Sequence, residues 1–358
     1  MITFRVMNYQ NFKNLKKPLK LLSVIVPMYN VEPYVERCIR SLENQDIEMD
    51  EYEIICINDG SPDKSKDVIL ELQKEFNNIV LINQENQGVS MARNNGIDRA
   101  IGKYLLMIDP DDFVEANCFS EKLRIIDEKN LDLGITGYII LDEKYQEEYR
   151  YDPNHIGGEV LSGIEYSYRY LRGNKEIRDP HRSVAIFYKT LFLKRNNLIY
   201  LKNVPYLEDG ELIARIMCLA KRVLFINDLF YLRTTRPGSA THSNLARSKY
   251  AREGFIYAAI NLSALKQQSL LSAEQKAFIN QPIIHFVVLA IFSLRGNYLR
   301  YFSSTYKKLK SVGLKHVETE ACSKSYTKMG KYYNISPHLL YVQRVFYLFR
   351  KSLINKFR

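Results

Sequence analysis

Between Leu21 and Asp59 the chain contains no glycine. A dinucleotide-binding unit or a phosphate loop needs glycines between its first strand and helix so that backbone amides can close on phosphate, so both are excluded, as is the glycine-opened pyrophosphorylase loop. Cysteine is sparse: Cys38, Cys56, Cys118, Cys218 and Cys322 lie far apart, with no C-x-x-C and no histidine at metal-ligand spacing. That scatter excludes a thiolate zinc site and suits thiols in a reducing compartment. No apolar run reaches membrane-spanning length. The most apolar, "IIHFVVLAIFSL" (283–294), is the size of a buried core helix. The opening "MITFRVMNYQNFKNLKKPLK" lacks the apolar block and cleavage site of a secretory signal, so a cytoplasmic protein is expected. Internal repeats and low-complexity segments are also missing.

Acids are nearly absent from both ends. Residues 1–20 hold five Lys/Arg and no Asp/Glu, and residues 295–358 hold fourteen against Glu318 and Glu320 alone. The formal charge of +11 therefore leaves 32 basic and 38 acidic residues, a net −6, for 21–294. An acidic centre argues against nucleic acid as a partner. Basic flanks suit contact with an anionic surface, or are simply solvated. What is present is ordinary for a globular protein: 358 residues, 46% apolar and 25% charged, enough for more than one folding unit.

The first 115 residues alternate regularly. "LLSVIVP" (21–27), "YEIICIND" (52–59), "NIVLINQ" (78–84) and "YLLMID" (104–109) have strand patterns, and 33–45, 66–76 and 89–101 have apolar residues at helical spacing. This order predicts a mostly parallel, Rossmann-like sheet flanked by helices, with ligands at the carboxyl ends of the strands. There stand "PMYN", "DGS", "NQENQG" and "DPDD". From 116 the pattern is mixed: a helix over 119–130, a strand over 131–141, a polar hairpin-like region over 142–160, a helix over 210–221 and a strand over 222–234. Beyond 243 the spacing is helical. Four segments are expected: a basic 1–20, 21–115, 116–242, and a basic helical 243–358.

The segment "YLLMIDPDDFV" (104–114) ends a buried run on three acids. Were it extended, Asp109 and Asp111 would project to one side around Pro110, and a divalent ion would relieve their repulsion. Alternatively Asp112 caps a helix following Phe113. For "NDGSPDKS", Ser61, Pro62 and Asp63 make an N-cap, a first-turn proline and a dipole-complementing acid. Asn30 is expected to cap a helix starting near Val31. Aspartate before a helix also suits Asp209 as an N-cap.

Taken in order, "VIVPMYN", "NDGS", "ARNNG", "DPDD" and "YLEDGEL" give residues 21–240 a pattern that resembles the family 2 inverting glycosyltransferases of GT-A fold, of the bacterial surface-polysaccharide type. The resemblance implies a GT-A domain split into a nucleotide-sugar-binding half (21–115) and an acceptor-binding half (116–242). It places Pro27, Tyr29, Asn30 and Glu32 in the first nucleotide loop and Asp59, with Gly60, at the base and ribose. Arg93 would face the diphosphate or hold Asp59 and Asp109, against the plainer account of a solvated helix arginine. Asp109 and Asp111 would bind donor and metal, Mn2+ or Mg2+, with Asp111 the direct ligand. Asp209 would be the base, supported by Glu208, and Arg236, Ser239 and His242 would belong to a closing loop. The implied activity is hexosyl transfer from a nucleotide sugar, a UDP-sugar, to a saccharide or lipid-linked saccharide. A non-catalytic nucleotide-sugar-binding subunit of an assembly complex is the alternative.

From Leu339, "LLYVQRVFYLFRKSLINKFR" sets Val342, Phe346, Phe349, Leu353 and Phe357 on one face and Arg344, Lys351 and Arg358 on another. Such a helix can lie peripherally on the inner, anionic leaflet of the cell membrane. The same face serves equally to pack on preceding helices or to form a homodimer.

Overall fold

The computed structural model describes residues 19–152, 158–172, 180–235, 248–293, 298–343 and 345–346. Contacts divide the chain into two units. The first takes Met1–Val160, Ser183–Ile199 and Arg222–Thr235; the second takes Leu161–Arg182, Tyr200–Lys221 and Arg236–Arg358.

The first unit opens with β1 (Lys20–Met28), α1 (Glu32–Glu43), β2 (Tyr52–Asp59), α2 (Ser65–Leu72), β3 (Ile79–Gln84), α3 (Val89–Arg99) and β4 (Gly102–Met107). The expected alternation is present, with ends moved by a few residues. β2 is buried along its whole length, as a central strand of a parallel sheet must be. α1 turns Val35, Cys38, Ile39 and Leu42 inward, the i, i+3, i+4, i+7 stripe of an amphipathic helix. Gly96 marks where α3 meets β1: a Cβ there would stand 2.6 Å from Ile25 Cγ2.

The chain continues through β5 (Phe113–Val114), α4 (Ser120–Glu128), β6 (Leu133–Leu141) and β7 (Glu147–Tyr151). α5 (Gly163–Tyr166) belongs to the second unit; β8 (Ile186–Lys189) and α6 (Thr190–Arg195) return to the first. α7 (Glu208–Leu219) is in the second unit and β9 (Val223–Thr234) in the first. The strands form one sheet in the order β3-β2-β1-β4-β8-β6-β9-β5, with β7 on β6. Pairing is parallel from β3 to β4 and between β6 and β9, and antiparallel elsewhere. The expected hairpin over 142–160 is β6–β7, whose turn is tied by the Asp142 carboxylate to the amides of Lys144 and Gln146 at 2.8 and 2.9 Å. The chain runs from β1 out to β3 and then returns to β4 on the other side of β1. That reversal opens a crevice at the strands' carboxyl ends.

In the second unit α5 runs into a π-helical turn, Ser167–Leu171, and the rest is α7, α8 (Lys249–Lys266), α9 (Ala273–Phe292), α10 (Tyr298–Ser311) and α11 (Lys324–Ile335). Ser248 caps α8, and Ser272 caps α9 with a reciprocal Gln275 bond. α9 holds residues 283–292 of the apolar run and begins ten residues before it, which corrects the expectation that no run reaches membrane-spanning length. It is long and apolar enough to cross a membrane by length and composition, yet 61% of that window is buried inside the protein. Pro282 inside α9 offers no amide to the Phe278 carbonyl. Arg172 supplies the missing donor, its Nη2 at 2.8 Å, while its guanidinium lies over the Phe278 and Tyr168 rings. One arginine thus satisfies the carbonyl that the proline leaves open.

Candidate active site

The loops after β1 and β2 cap each other's helices. The Asp63 carboxylate accepts the Glu32 amide at the start of α1 at 2.8 Å, and the Glu32 carboxylate accepts the Lys64 amide at the start of α2 at 3.0 Å. Ser65 Oγ accepts the Val31 amide and donates to Asp63. The single-loop caps expected at Asn30 and Ser61 are therefore corrected. Asn30 is in the left-handed region (φ 54°), α1 starts at Glu32 behind Val31, and α2 starts at Ser65. The Ser61 hydroxyl instead donates to the Met28 carbonyl and accepts the Asn30 amide. Tyr29 stands 50% exposed at the crest of the loop. Pro27 pairs with Ile57 on the β2 side; the β4 register ends at Ile25–Met107, so the amide that proline lacks has no ladder to break.

Asp59 is 2% exposed. Its oxygens accept Gln84 Nε2 at 2.7 Å and the Gln87 and Gly88 amides at 2.8 Å each, so it ties the loop after β3 to the start of α3. Gly60, at φ +66°, allows this approach: a Cβ would lie 3.0 Å from the Asn86 amide nitrogen.

The acid segment is a turn rather than an extended strand. β4 stops at Met107, and the Asp112 amide donates to the Asp109 carbonyl at 2.9 Å, an i to i+3 turn through Pro110 and Asp111. The strand alternation expected of Asp109 and Asp111 therefore does not apply. Asp112 caps no helix either, since β5 follows directly. Five side chains from three other elements clamp this turn. Arg93 of α3, 4% exposed, donates to Asp109 Oδ1 at 2.7 Å and so is not a solvated arginine. Arg37 of α1 lies over the Phe113 and Tyr145 rings and donates to the Asp111 carbonyl at 2.7 Å. Thr234 Oγ1 donates to the same carbonyl at 2.7 Å. Tyr231 accepts the Asp109 amide at 3.2 Å and donates to Asp112 Oδ2 at 2.6 Å. The Cys38 thiol approaches the Asp109 carbonyl at 3.8 Å.

Asp112 is 1% exposed, and its second oxygen takes the Thr234 amide at 2.7 Å. Burial first, then Asp109 and Asp111, push its carboxyl well above the usual range. Both its oxygens are spent on the protein. Among the described residues no group of three or more His, Cys, Asp or Glu is placed to hold a metal. Asp111 and Asp109 put two carboxylates on one turn, the hard oxygen donors that Mg2+ or Mn2+ takes beside waters and substrate phosphates, and Asp109 Oδ1 already accepts from Arg93.

In the second unit Glu208, Asp209 and Glu211 occupy the first turn of α7, where the helix dipole favours acids. Asp209 is not the N-cap. That position belongs to Leu207, at φ 57° with no side-chain cap, and Asp209 is the second helical residue, accepting the Tyr200 hydroxyl at 3.0 Å. Glu211 is buried, with two bonds from Arg215 at 2.8 and 2.7 Å and one from Asn261 at 2.7 Å. Arg236, Ser239 and His242 lie outside the described residues. Sequence reasoning missed Arg37, Tyr200, Tyr231 and Thr234. Apart from Tyr200, which is nine residues from its partner, they act across 74 to 123 positions, and no local spacing signals that.

Residues 23–195 match the glycosyl transferase family 2 model. The uncharacterized glycosyltransferase EpsJ of Bacillus subtilis (strain 168) is 30% identical over 230 residues, covering 62% of this chain and 63% of that protein. The minor teichoic acid biosynthesis protein GgaB of the same organism is 30% identical over 270 residues, covering 74% of this chain and 28% of GgaB. The chain thus spans less than two thirds of either relative. The crystal structure of S. aureus TarS 1–349 in complex with UDP-GlcNAc superposes with a TM-score of 0.65 at 19% identity, covering 90% of this chain and 89% of that one. The family match thus takes in residues 23–195, a little under half of the chain, and the chain shares the GT-A fold of the TarS structures.

Proposed function

We propose that this protein is an inverting glycosyltransferase that moves a sugar from a nucleotide-sugar donor, a UDP-sugar, to a saccharide or lipid-linked saccharide acceptor. The carrying observation is the clamped acid turn at 109–112, which holds Asp109 and Asp111 in place with groups from α1, α3 and β9. The match of residues 23–195 to the glycosyl transferase family 2 model supports the reaction class. The donor reading draws on TarS, whose structures include UDP-GlcNAc and UDP. The acceptor reading draws on GgaB and on a poly(ribitol-phosphate) beta-glucosyltransferase, 24% identical over 265 residues.

In this reading Tyr29 and the Asp59 loop receive the nucleoside, and Arg93 orients Asp109. Asp111, with Asp109, would hold Mn2+ or Mg2+, whose charge when bound offsets that gathering on the departing diphosphate. Inversion requires a base on the face opposite the leaving group. We assign it to Asp209, oriented by the Tyr200 hydroxyl, with Glu208 in support. The work is cytoplasmic, and at the inner face of the membrane where the acceptor is lipid-linked.

Donor hydrolysis tests the reading. Several nucleotide sugars are offered to the full chain with Mn2+, with Mn2+ and chelator, and to Asp111→Ala. Hydrolysis is expected to fall about a hundredfold or more with chelator and in the variant, at an unchanged thermal midpoint. Equal turnover in Asp111→Ala, or none with any nucleotide sugar, contradicts it.

A further inference from the structure

α11 carries Lys324, Lys328 and Lys331 at i, i+4 and i+7, so one helix face presents three ammonium groups. All three are exposed and, with Thr327, Tyr332 and Ile335, line a shallow groove of about 520 Å3. Two other lysines of this unit have carboxylates: Lys266 pairs with Glu318, and Lys308 with Glu253. Among the described residues the three groove lysines have none. Residues 295–358 contain only two acids to offer them.

The groove ends on an apolar surface. Ile335, at its edge, is 74% exposed. A helical turn over 337–343 follows, burying Pro337 and Leu340 and leaving Leu339 and Val342 outward, with Val345 and Phe346 exposed beyond. Val342 is 61% exposed and Phe346 70%. One such side chain is normal on a protein surface; five within twelve residues, beside lysines without carboxylates, mark an interaction face.

We propose that this face docks on an anionic phospholipid bilayer, the lysine groove meeting headgroup phosphates while Ile335, Leu339, Val342 and Phe346 enter the acyl boundary. A soluble polyanion would use the lysines and leave the apolar row idle. A second copy meeting the same patch would bring six lysines together, and like charges oppose that contact. An anionic leaflet satisfies both halves of the surface at once. The proposal stands on α11 and the turn after it, independently of the sugar-transfer reading.

The test is co-sedimentation of the full chain with vesicles of phosphatidylglycerol and, in parallel, of phosphatidylcholine, with light scattering and thermal midpoints on every variant. Wild type should bind phosphatidylglycerol, release in high salt, and not bind phosphatidylcholine. Lys324→Glu/Lys328→Glu/Lys331→Glu should weaken binding by about a hundredfold or more. Val342→Ser/Phe346→Ser should weaken it by about tenfold without losing the salt dependence. Failure of wild type to bind phosphatidylglycerol overturns the proposal. So does loss in the lysine variant with full binding in the apolar one, which identifies a polyanion groove. Dimers that Val342→Ser/Phe346→Ser separates while vesicle binding stays intact would assign the face to a second copy instead.

Discussion

Asp112 and Glu211 are both buried acids, one beneath the acid turn of the sheet unit and one in the first turn of α7, and they are treated in opposite ways. Glu211 has its own cation, Arg215, in a two-pronged pair, and an amide from Asn261. Its charge is neutralised where it arises. Asp112 has only a phenol and a backbone amide, with Asp109 and Asp111 close enough to push its carboxyl up. A fold seeking stability alone would have placed an arginine there, because an acid buried among acids costs free energy. The helical region pairs its buried acid with a cation, whereas the turn gives Arg93 to Asp109 and leaves Asp112 buried without a cation of its own.

The comparison predicts an order of effects. Arg215→Met leaves Glu211 buried without its cation and should cost about 3–5 kcal/mol in urea unfolding; a loss below about 1 kcal/mol would mean that the pair is not what holds α7. Tyr231→Phe removes the hydroxyl shared by Asp112 and Asp109, and should cost about 1–3 kcal/mol. Because it loosens the turn, it should also raise the donor KM severalfold; an unchanged KM would detach Tyr231 from the site. Gly96→Ala forces a Cβ against Ile25 and should cost about 1–3 kcal/mol without touching any acid, a control for packing alone.

The smallest effect is a pH dependence. Burial pushes the Asp63 carboxyl up, but bonds from the Ser65 hydroxyl and from the Glu32 and Ser65 amides outweigh it and hold it below the usual range. Its contribution is therefore complete above the unfolded carboxylate pKa of about 3.9 and is lost as pH falls through the lower folded value. Asp63→Asn lacks that term, so its stability should decline less steeply than wild type below about pH 4. Parallel acid unfolding curves would show that the reciprocal caps carry little charge dependence.

β1, β2 and β4 were legible because central parallel strands must be apolar on both faces, which leaves uninterrupted runs such as "VIV" and "IICI". β8 spans only four residues, α6 six and α5 four, too short for a period to emerge. The caps were misplaced because Asp63 and Glu32 act across loops, 31 and 32 positions away, whereas cap rules read within three. The acid segment looked extended because apolar residues lead into it. Its bend depends on the Asp112 amide turning back to Asp109 and on β9 arriving beside it.

Sequence by itself determined the order of the first four strands and three helices, the carboxyl-end loops on which the polar motifs fall, and the family those motifs resemble. Periodicity and composition are local, so a reader of the chain can recover them. Tertiary structure alone decided that Asp112 is an anchor rather than a ligand, that Arg93 and Arg37 grip the acid turn, and that three lysines beside an apolar row remain without carboxylates. Those facts are Coulombic and steric relations between groups brought together by folding, and separation along the chain carries no record of them.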